Sequence, residues 1–194
     1  DIFLIGNFSE WKENTKYRFS KLKNGVWELK LKTGEIKHLD LYKLSMHWNG
    51  GHGERIPAWA TRVVQDEKTY IFSAQVWSPS RPYKFKKKKF KPQISPLLIY
   101  ECHIGMAQEE ERIGSYNEFR EKILPRIAKD GYNAIQIMAI QEHPYYGSFG
   151  YHVSSFFAPS SRFGTPDELK QLIDEAHASG IAVIMDIVHS HAVK

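Results

Sequence analysis

The hydrophobic period of this chain changes near residue 97, and that change dictates two structural layers of different kinds. Up to about residue 78, short β-branched or aromatic runs recur between turn residues: Ile2 to Ile5, Gly25 to Leu31, Leu39 to Leu44 and Thr69 to Val76. In the second of these, Trp27, Leu29 and Leu31 alternate with Glu28 and Lys30, the period of a strand with one wet face. Asn24-Gly25, Thr33-Gly34 and Asn49-Gly50-Gly51 supply turns. Several short strands that must each bury one face predict a small β-sandwich, with most of the five tryptophans (Trp11, Trp27, Trp48, Trp59, Trp77) in its core.

From Leu97 the pattern is that of a parallel sheet. Leu97 to Tyr100, Ala134 to Ile140 and Ile181 to Val188 are nearly continuous apolar runs, as strands covered on both faces require. Helices are predicted between them. Ser115 with Glu118, and Thr165-Pro166 with Glu168, have capping-box spacing. Leu169, Leu172, Ile173 and Ala176 form one stripe, and Gly131 and Gly180 stand where left-handed caps end helices. Pro125 should kink or split the first helix. The order β-α-β-α-β predicts the first part of an α/β barrel or an open sheet.

Between the halves, Ser78 to Pro96 carries four prolines and six lysines (Lys84, Lys86, Lys87, Lys88, Lys89, Lys91) and reads as a linker. Those lysines account for the net charge of +5; the remaining basic and acidic residues nearly balance, so no basic face for nucleic acid is expected. No apolar run reaches the ~18 residues of a membrane span. One cysteine, Cys102, excludes an internal disulfide framework and reads as a core residue. The chain opens at Asp1 directly in a strand pattern, so the lack of a signal peptide is uninformative.

Functional groups in α/β folds gather at the carboxyl ends of the strands. Here those ends are Glu101 to His103, Gln141 to His143 and Asp186 to His191. The stretch from Gln141 to Gly164 is too long for a plain connector and holds Tyr145, Tyr146, Phe149, Tyr151, Phe156, Phe157 and Phe163. Aromatic faces beside hydroxyls and carboxylates suit a sugar ring, whose CH face stacks while its hydroxyls bond; a loop packed on itself over the strand ends has the same composition. His103, His143, His152, His189 and His191 raise metal binding, but no zinc spacing and no third ligand can be assigned. Nucleophile elbows and phosphate loops are absent from the sequence.

Asp186-Ile-Val-His-Ser-His191 resembles the conserved stretch that ends the third barrel strand of the α-amylase superfamily, and Phe149 to His152 and Phe163 to Leu169 resemble the segments before it. Ile99 to Met106, Gly131 to His143 and Tyr145 to Thr165 are similar to glycogen and starch branching enzymes of the 1,4-α-glucan type. Leu4 to Trp11, Gly25 to Leu29 and Ile56 to Trp59 are similar to the carbohydrate-binding module that precedes their barrel. The resemblance implies a β-sandwich module over residues 1–78, a linker over 79–96, and over 97–194 the first three of eight strands of a TIM (β/α)8 barrel.

It further implies a cytoplasmic enzyme of glycogen biosynthesis that cuts an α-1,4 glucan through a covalent glycosyl-enzyme and rejoins it as an α-1,6 branch. That chemistry needs two carboxyl groups about 5–5.5 Å apart. In the family they come from later strands, so they are expected beyond Lys194 and the 194 residues alone are expected to be inactive. By the same resemblance Tyr151 would stack on the sugar, Asp186 and His191 would hold its hydroxyls, and His143 joins the substrate-binding set. Trp11, Asn24, Gly25 and Trp27 would contact glucan from the module. Ser190 replaces the asparagine that ligates calcium in many α-amylases, so neither metal nor cofactor is expected. The expected partner is α-glucan polysaccharide, with no nucleic acid and no membrane. Two alternatives remain open: a debranching or trehalose-releasing hydrolase of the superfamily, and a non-catalytic glucan-binding module.

Overall fold

The computed structural model describes residues 1–87, 89–93 and 96–193. Lys88 of the lysine run, Ile94 and Ser95 of the expected linker, and Lys194 lie outside the described residues. The chain divides into two compact units, Asp1–Ser80 and Arg81–Lys194.

In the first unit β1 (Ile2–Gly6), β2 (Ser20–Lys21), β3 (Trp27–Glu28), β4 (Leu41–Trp48), β5 (Gly51–Arg55), β6 (Val63–Gln65) and β7 (Phe72–Gln75) follow in order. β4 organises the main antiparallel sheet: β1 pairs with it from Ile2↔Met46 to Gly6↔Tyr42, while β5 and β7 share its other edge and β6 extends β7. β2 and β3 form a separate two-stranded hairpin. The run Gly25 to Leu31 thus yields a strand of two residues, and among the described residues the only other sheet in this unit is this two-stranded hairpin. The tryptophan expectation is corrected for the same reason. Leu4, Ile5, Tyr17, Ala60, Val63 and Ala74 are the buried apolar residues of this unit, whereas Trp11, Trp48 and Trp59 are exposed and Trp27 and Trp77 half-buried. A five-stranded sheet accompanied by so small a second sheet leaves large side chains without a buried place.

In the second unit three parallel strands carry the architecture: β8 (Ile99–Cys102), β9 (Ala134–Ile137) and, last, β12 (Ala182–Met185), with β9 central. The register Ile99↔Ala134↔Ala182 aligns their starts. Ala134, Ile135 and Ile137 of β9 are fully buried. The expectation of burial on both faces fails for the edge strands, where Ile99, Ile184 and Met185 are exposed. Cys102 lies in the core, its thiol pushed up to about 12 by burial.

The crossovers follow their sequence signals. α1 (Tyr116–Glu118), a π-helical turn (Phe119–Ile123) and α2 (Leu124–Lys129) form one interrupted helix. Both halves of the Ser115–Glu118 capping box are made. Pro125 has no amide to give the Glu121 carbonyl, so the helix widens into the π turn immediately before it. Two short strands, β10 (Gln141–Glu142) and β11 (Ser155–Pro159), pair antiparallel within the long excursion after β9. α3 (Pro166–Ala178) then starts on the Thr165–Glu168 box and ends before Gly180, whose φ is 79°. Its buried stripe includes Leu169, Leu172 and Ala176, which join Phe119, Leu124, Ile127, Ile135 and Ile137 in the core.

The proline- and lysine-rich stretch is not free chain where it is described. From Arg81 it belongs to the second unit, strapped across α3. The buried Asp174 carboxylate accepts from the Tyr83 hydroxyl at 2.6 Å and from the Lys86 and Lys87 amides at 2.7 and 2.8 Å, while Phe90 stacks on His177 at 4.2 Å. Burial would raise the Asp174 carboxyl, but these hydrogen bonds outweigh it and hold the group low.

The strap generates a pH test. Burial and the hydrogen bond to Asp174 push the Tyr83 phenol up to about 12, above its unfolded value of about 10. A raised folded value means the native state holds the proton more tightly, so this stability is complete below about pH 10 and lost as pH rises toward 12. Chemical denaturation of Tyr83→Phe between pH 7 and 12 should show that slope reduced, with a loss of about 1 kcal/mol at neutral pH; an unchanged alkaline slope would contradict the strap.

Candidate functional site

The three strand ends converge as α/β geometry requires. After β9 the chain passes Ala139, at φ 27°, and turns into the excursion that carries the aromatics. Gly150 lays that excursion back on the strand end: its φ is 87°, and a Cβ there would stand 1.9 Å from the Ala139 carbonyl oxygen, so no side chain fits. The next residue, Tyr151, is thereby set beside β12 and β8. Burial, then the nearby Asp186 and Glu101 carboxylates, raise its phenol. The Asp186 amide donates to the Ile137 carbonyl at 3.0 Å, continuing the β12 ladder past its last residue and fixing the carboxylate at the sheet end.

The segment after β12 runs along the excursion. The Val188 amide donates to Gln141 Oε1 at 3.3 Å and the Val193 amide to the Val153 carbonyl at 3.0 Å. This brings His191, exposed, to 6.4 Å from the His152 ring, and His189 to 5.9 Å from Phe156. Tyr151, Asp186 and His191 therefore come from one neighbourhood of the sheet end. Beside Asp186 lies a cavity of about 210 Å³ walled by Ile140, Phe156, Phe157, Met185 and Ile187.

His143 is placed differently. It is fully buried, with Nδ1 2.9 Å from the Gln141 carbonyl, its ring against Phe163 and Nε2 without a partner; burial lowers its pKa. It is enclosed, unlike Tyr151 and Asp186, which are half-buried, and His191, which is exposed.

The residue that sequence reasoning missed is Arg162. Glu142, also fully buried, accepts from the Ser161 amide at 2.8 Å and the His143 amide at 3.1 Å and pairs with Arg162 at 3.3 Å. Arg162 also donates to the His143 and Pro144 carbonyls. One ion pair thus ties the two ends of the aromatic excursion together. No local motif announces it; the only signal was a lone arginine in an otherwise uncharged aromatic stretch. Enclosed this way, Glu142 is unavailable for acid–base work.

In the first unit the four residues expected to contact glucan are separate in kind. Trp11 is exposed at φ 59°, with the Lys43 ammonium 5.9 Å over its ring. Asn24 and Gly25 form the β2–β3 turn, where Asn24 Oδ1 accepts from the Val26 amide and Gly25 has φ 80°. Trp27 is half-buried under Lys21.

Comparison with known proteins shows what the chain is similar to. Residues 108–194 match the family model "Alpha amylase, catalytic domain". That stretch is similar to α-amylase catalytic domains. The chain is 46% identical over its whole length to the 1,4-alpha-glucan-branching enzyme of Yarrowia lipolytica, covering 29% of that protein. It is 47% identical, over 98% of its length, to 1,4-alpha-glucan-branching enzyme 2-2, chloroplastic/amyloplastic, of Arabidopsis thaliana, covering 24% of that protein. The chain thus spans less than a third of the curated relatives it matches. Among solved structures, a putative alpha amylase from Salmonella typhimurium superposes with a TM-score of 0.75 at 21% identity, over 96% of this chain and 29% of its own, and shares the fold.

The Arg162 clamp is testable. Arg162→Met leaves Glu142 buried without its counter-charge and should cost about 3 kcal/mol in urea denaturation at pH 8. Burial raises the Glu142 carboxyl, so protonation favours the native state and its contribution is lost as pH rises through the folded value. The deficit of the variant should therefore shrink on going to pH 5. A deficit independent of pH, or below 0.5 kcal/mol, would show that the pair does not hold the excursion.

Proposed function

We propose that this chain is the glucan-holding part of a 1,4-α-glucan branching enzyme. The observation that carries the reading is the identity to branching enzymes over the whole chain, which includes the sheet-end residues Tyr151, Asp186 and His191. The first unit serves as a carbohydrate-binding module with Trp11, Asn24, Gly25 and Trp27 on its glucan face, and the second as the opening strands of a (β/α)8 barrel. In this reading the Tyr151 ring takes the CH face of one glucosyl unit, while Asp186 accepts from its hydroxyls and His191 donates to it. Such contacts orient the ring and strengthen as charge develops at its anomeric carbon. The nucleophile and acid/base are assigned to parts of the protein beyond Lys194, so the 194 residues alone are expected to turn over no glucan. A cytoplasmic location is the reading for this chain; the Arabidopsis relative, by its name, is plastidic.

The test uses the full-length protein that carries these residues. Branching conserves reducing ends, because every bond cut is remade. Amylose incubated with it should lose iodine absorbance with no rise in reducing ends; a rise without new α-1,6 linkages would identify a hydrolase instead. Tyr151→Ala should lower kcat ten- to a hundredfold, equivalent to about 1.4–2.7 kcal/mol of transition-state stabilisation.

Glucan binding by the module is tested separately. In affinity electrophoresis through glycogen, the 194-residue chain should be retarded and Trp11→Ala should migrate faster through the gel. Equal mobility of the two would remove Trp11 from the binding face.

A further inference from the structure

One side-chain cluster lies outside everything assigned above, on the antiparallel sheet of the first unit. His47 of β4 and His52 of β5 are direct cross-strand partners, brought opposite each other by the two-residue loop Asn49–Gly50, with Gly50 at φ 80°. Their rings lie 4.5 Å apart, tilted 35°. Glu13, from the segment between β1 and β2, reaches over the pair, with Oε1 2.7 Å from His47 Nε2 and 3.7 Å from His52 Nε2. One ligand atom from each residue falls within 4.8 Å of the others.

We propose that Glu13, His47 and His52 bind a divalent transition-metal cation of the zinc type. Ligand atoms about 2.0–2.1 Å from a tetrahedral zinc lie roughly 3.3 Å from one another. The two distances to Glu13 fall on either side of that value, so modest side-chain rotation completes the site. Two imidazoles and one carboxylate select zinc, copper or nickel over magnesium and calcium, and leave the fourth position to water.

The surroundings favour an ordered site. The Ser45 hydroxyl, buried beneath the cluster, lies 2.6 Å from Glu13 Oε1 and 2.9 Å from His52 Nε2. When His52 turns its Nε2 to the metal, Ser45 still holds the carboxylate, as an outer-shell partner of a metal ligand does. Phe3 packs edge-on against His47 at 6.0 Å and limits that ring's rotation. The cation would fasten the segment around Glu13, held otherwise by the Asn14 turn, to the β4–β5 hairpin.

The experiment uses the chain stripped with chelator and free of any histidine tag. Calorimetric titration with Zn2+ should give one saturable site, and Co2+ should develop the visible bands of four-coordination. His47→Ala and His52→Ala should each weaken binding at least tenfold, and Glu13→Gln should weaken it less. Zn2+ should raise the thermal midpoint of the unsubstituted chain and leave that of His52→Ala unmoved, with circular dichroism confirming that the variant folds. The chain carries nine histidines, so the decisive control is the double variant His47→Ala/His52→Ala. Absence of saturable Zn2+ binding by the unsubstituted chain, or binding by the double variant with the same stoichiometry and affinity, would overturn the assignment.

Discussion

The second unit of this chain depends on a buried carboxylate. Glu142 sits at the point where the chain leaves β9 and begins an aromatic excursion too long to hold its own shape. Enclosed by two backbone amides and the Arg162 guanidinium, it binds the start of the excursion to its end. Removing a carboxylate from water is costly, and a single counter-charge rarely offsets it; the amides add to what the ion pair returns, while burial still raises the carboxyl. Once the two ends are fixed, Gly150 can press against Ala139 and Tyr151 is set beside Asp186. Of the residues proposed to meet a sugar, Tyr151 and Asp186 are half-buried and His191 is exposed, while the Glu142 carboxylate that helps position them is fully buried.

Sequence reading was accurate where a signal is local. Capping boxes, glycine caps, the proline break and the three parallel strands depend on neighbours a few positions away, and each lies where its residues predict. It was weaker where the answer depends on what packs opposite. The alternation of Trp27, Leu29 and Leu31 is a real strand pattern, yet only Trp27–Glu28 finds a partner. Tryptophans were assigned to a core that a five-stranded sheet and a small hairpin do not enclose. β5 and β6 were not anticipated because Gly51 to Arg55 and Val63 to Gln65 are short and mixed in polarity; β5 forms because β4 offers it an edge.

The candidate site shows the same division. Asp186 and His191 were legible through the strand end that carries them and a resemblance to a known stretch. His143 was legible as a histidine at a strand end but not as a buried one, because burial is decided by Phe163 and Gln141 together. Arg162 left almost no trace, since its partner lies twenty positions earlier. The lysine-rich stretch was misjudged for a related reason. Its composition is that of a linker, but Asp174 binds its backbone amides, and composition is silent about amides.

The central position of β9 has a kinetic consequence. β8 and β12 do not touch; each is held in register only through β9, and each must cross an interrupted helix or the whole aromatic excursion to reach it. Neither pairing is a local event, so loop-closure entropy must be overcome twice before the sheet gains its full burial. The amides shared by β9 with its two neighbours, closed over by Ile135 and Ile137, are then expected among the late-forming and slowly exchanging ones of this unit. The β4–β5 hairpin, closed by two residues, obeys the opposite schedule and is complete while the parallel sheet is still searching for its middle strand.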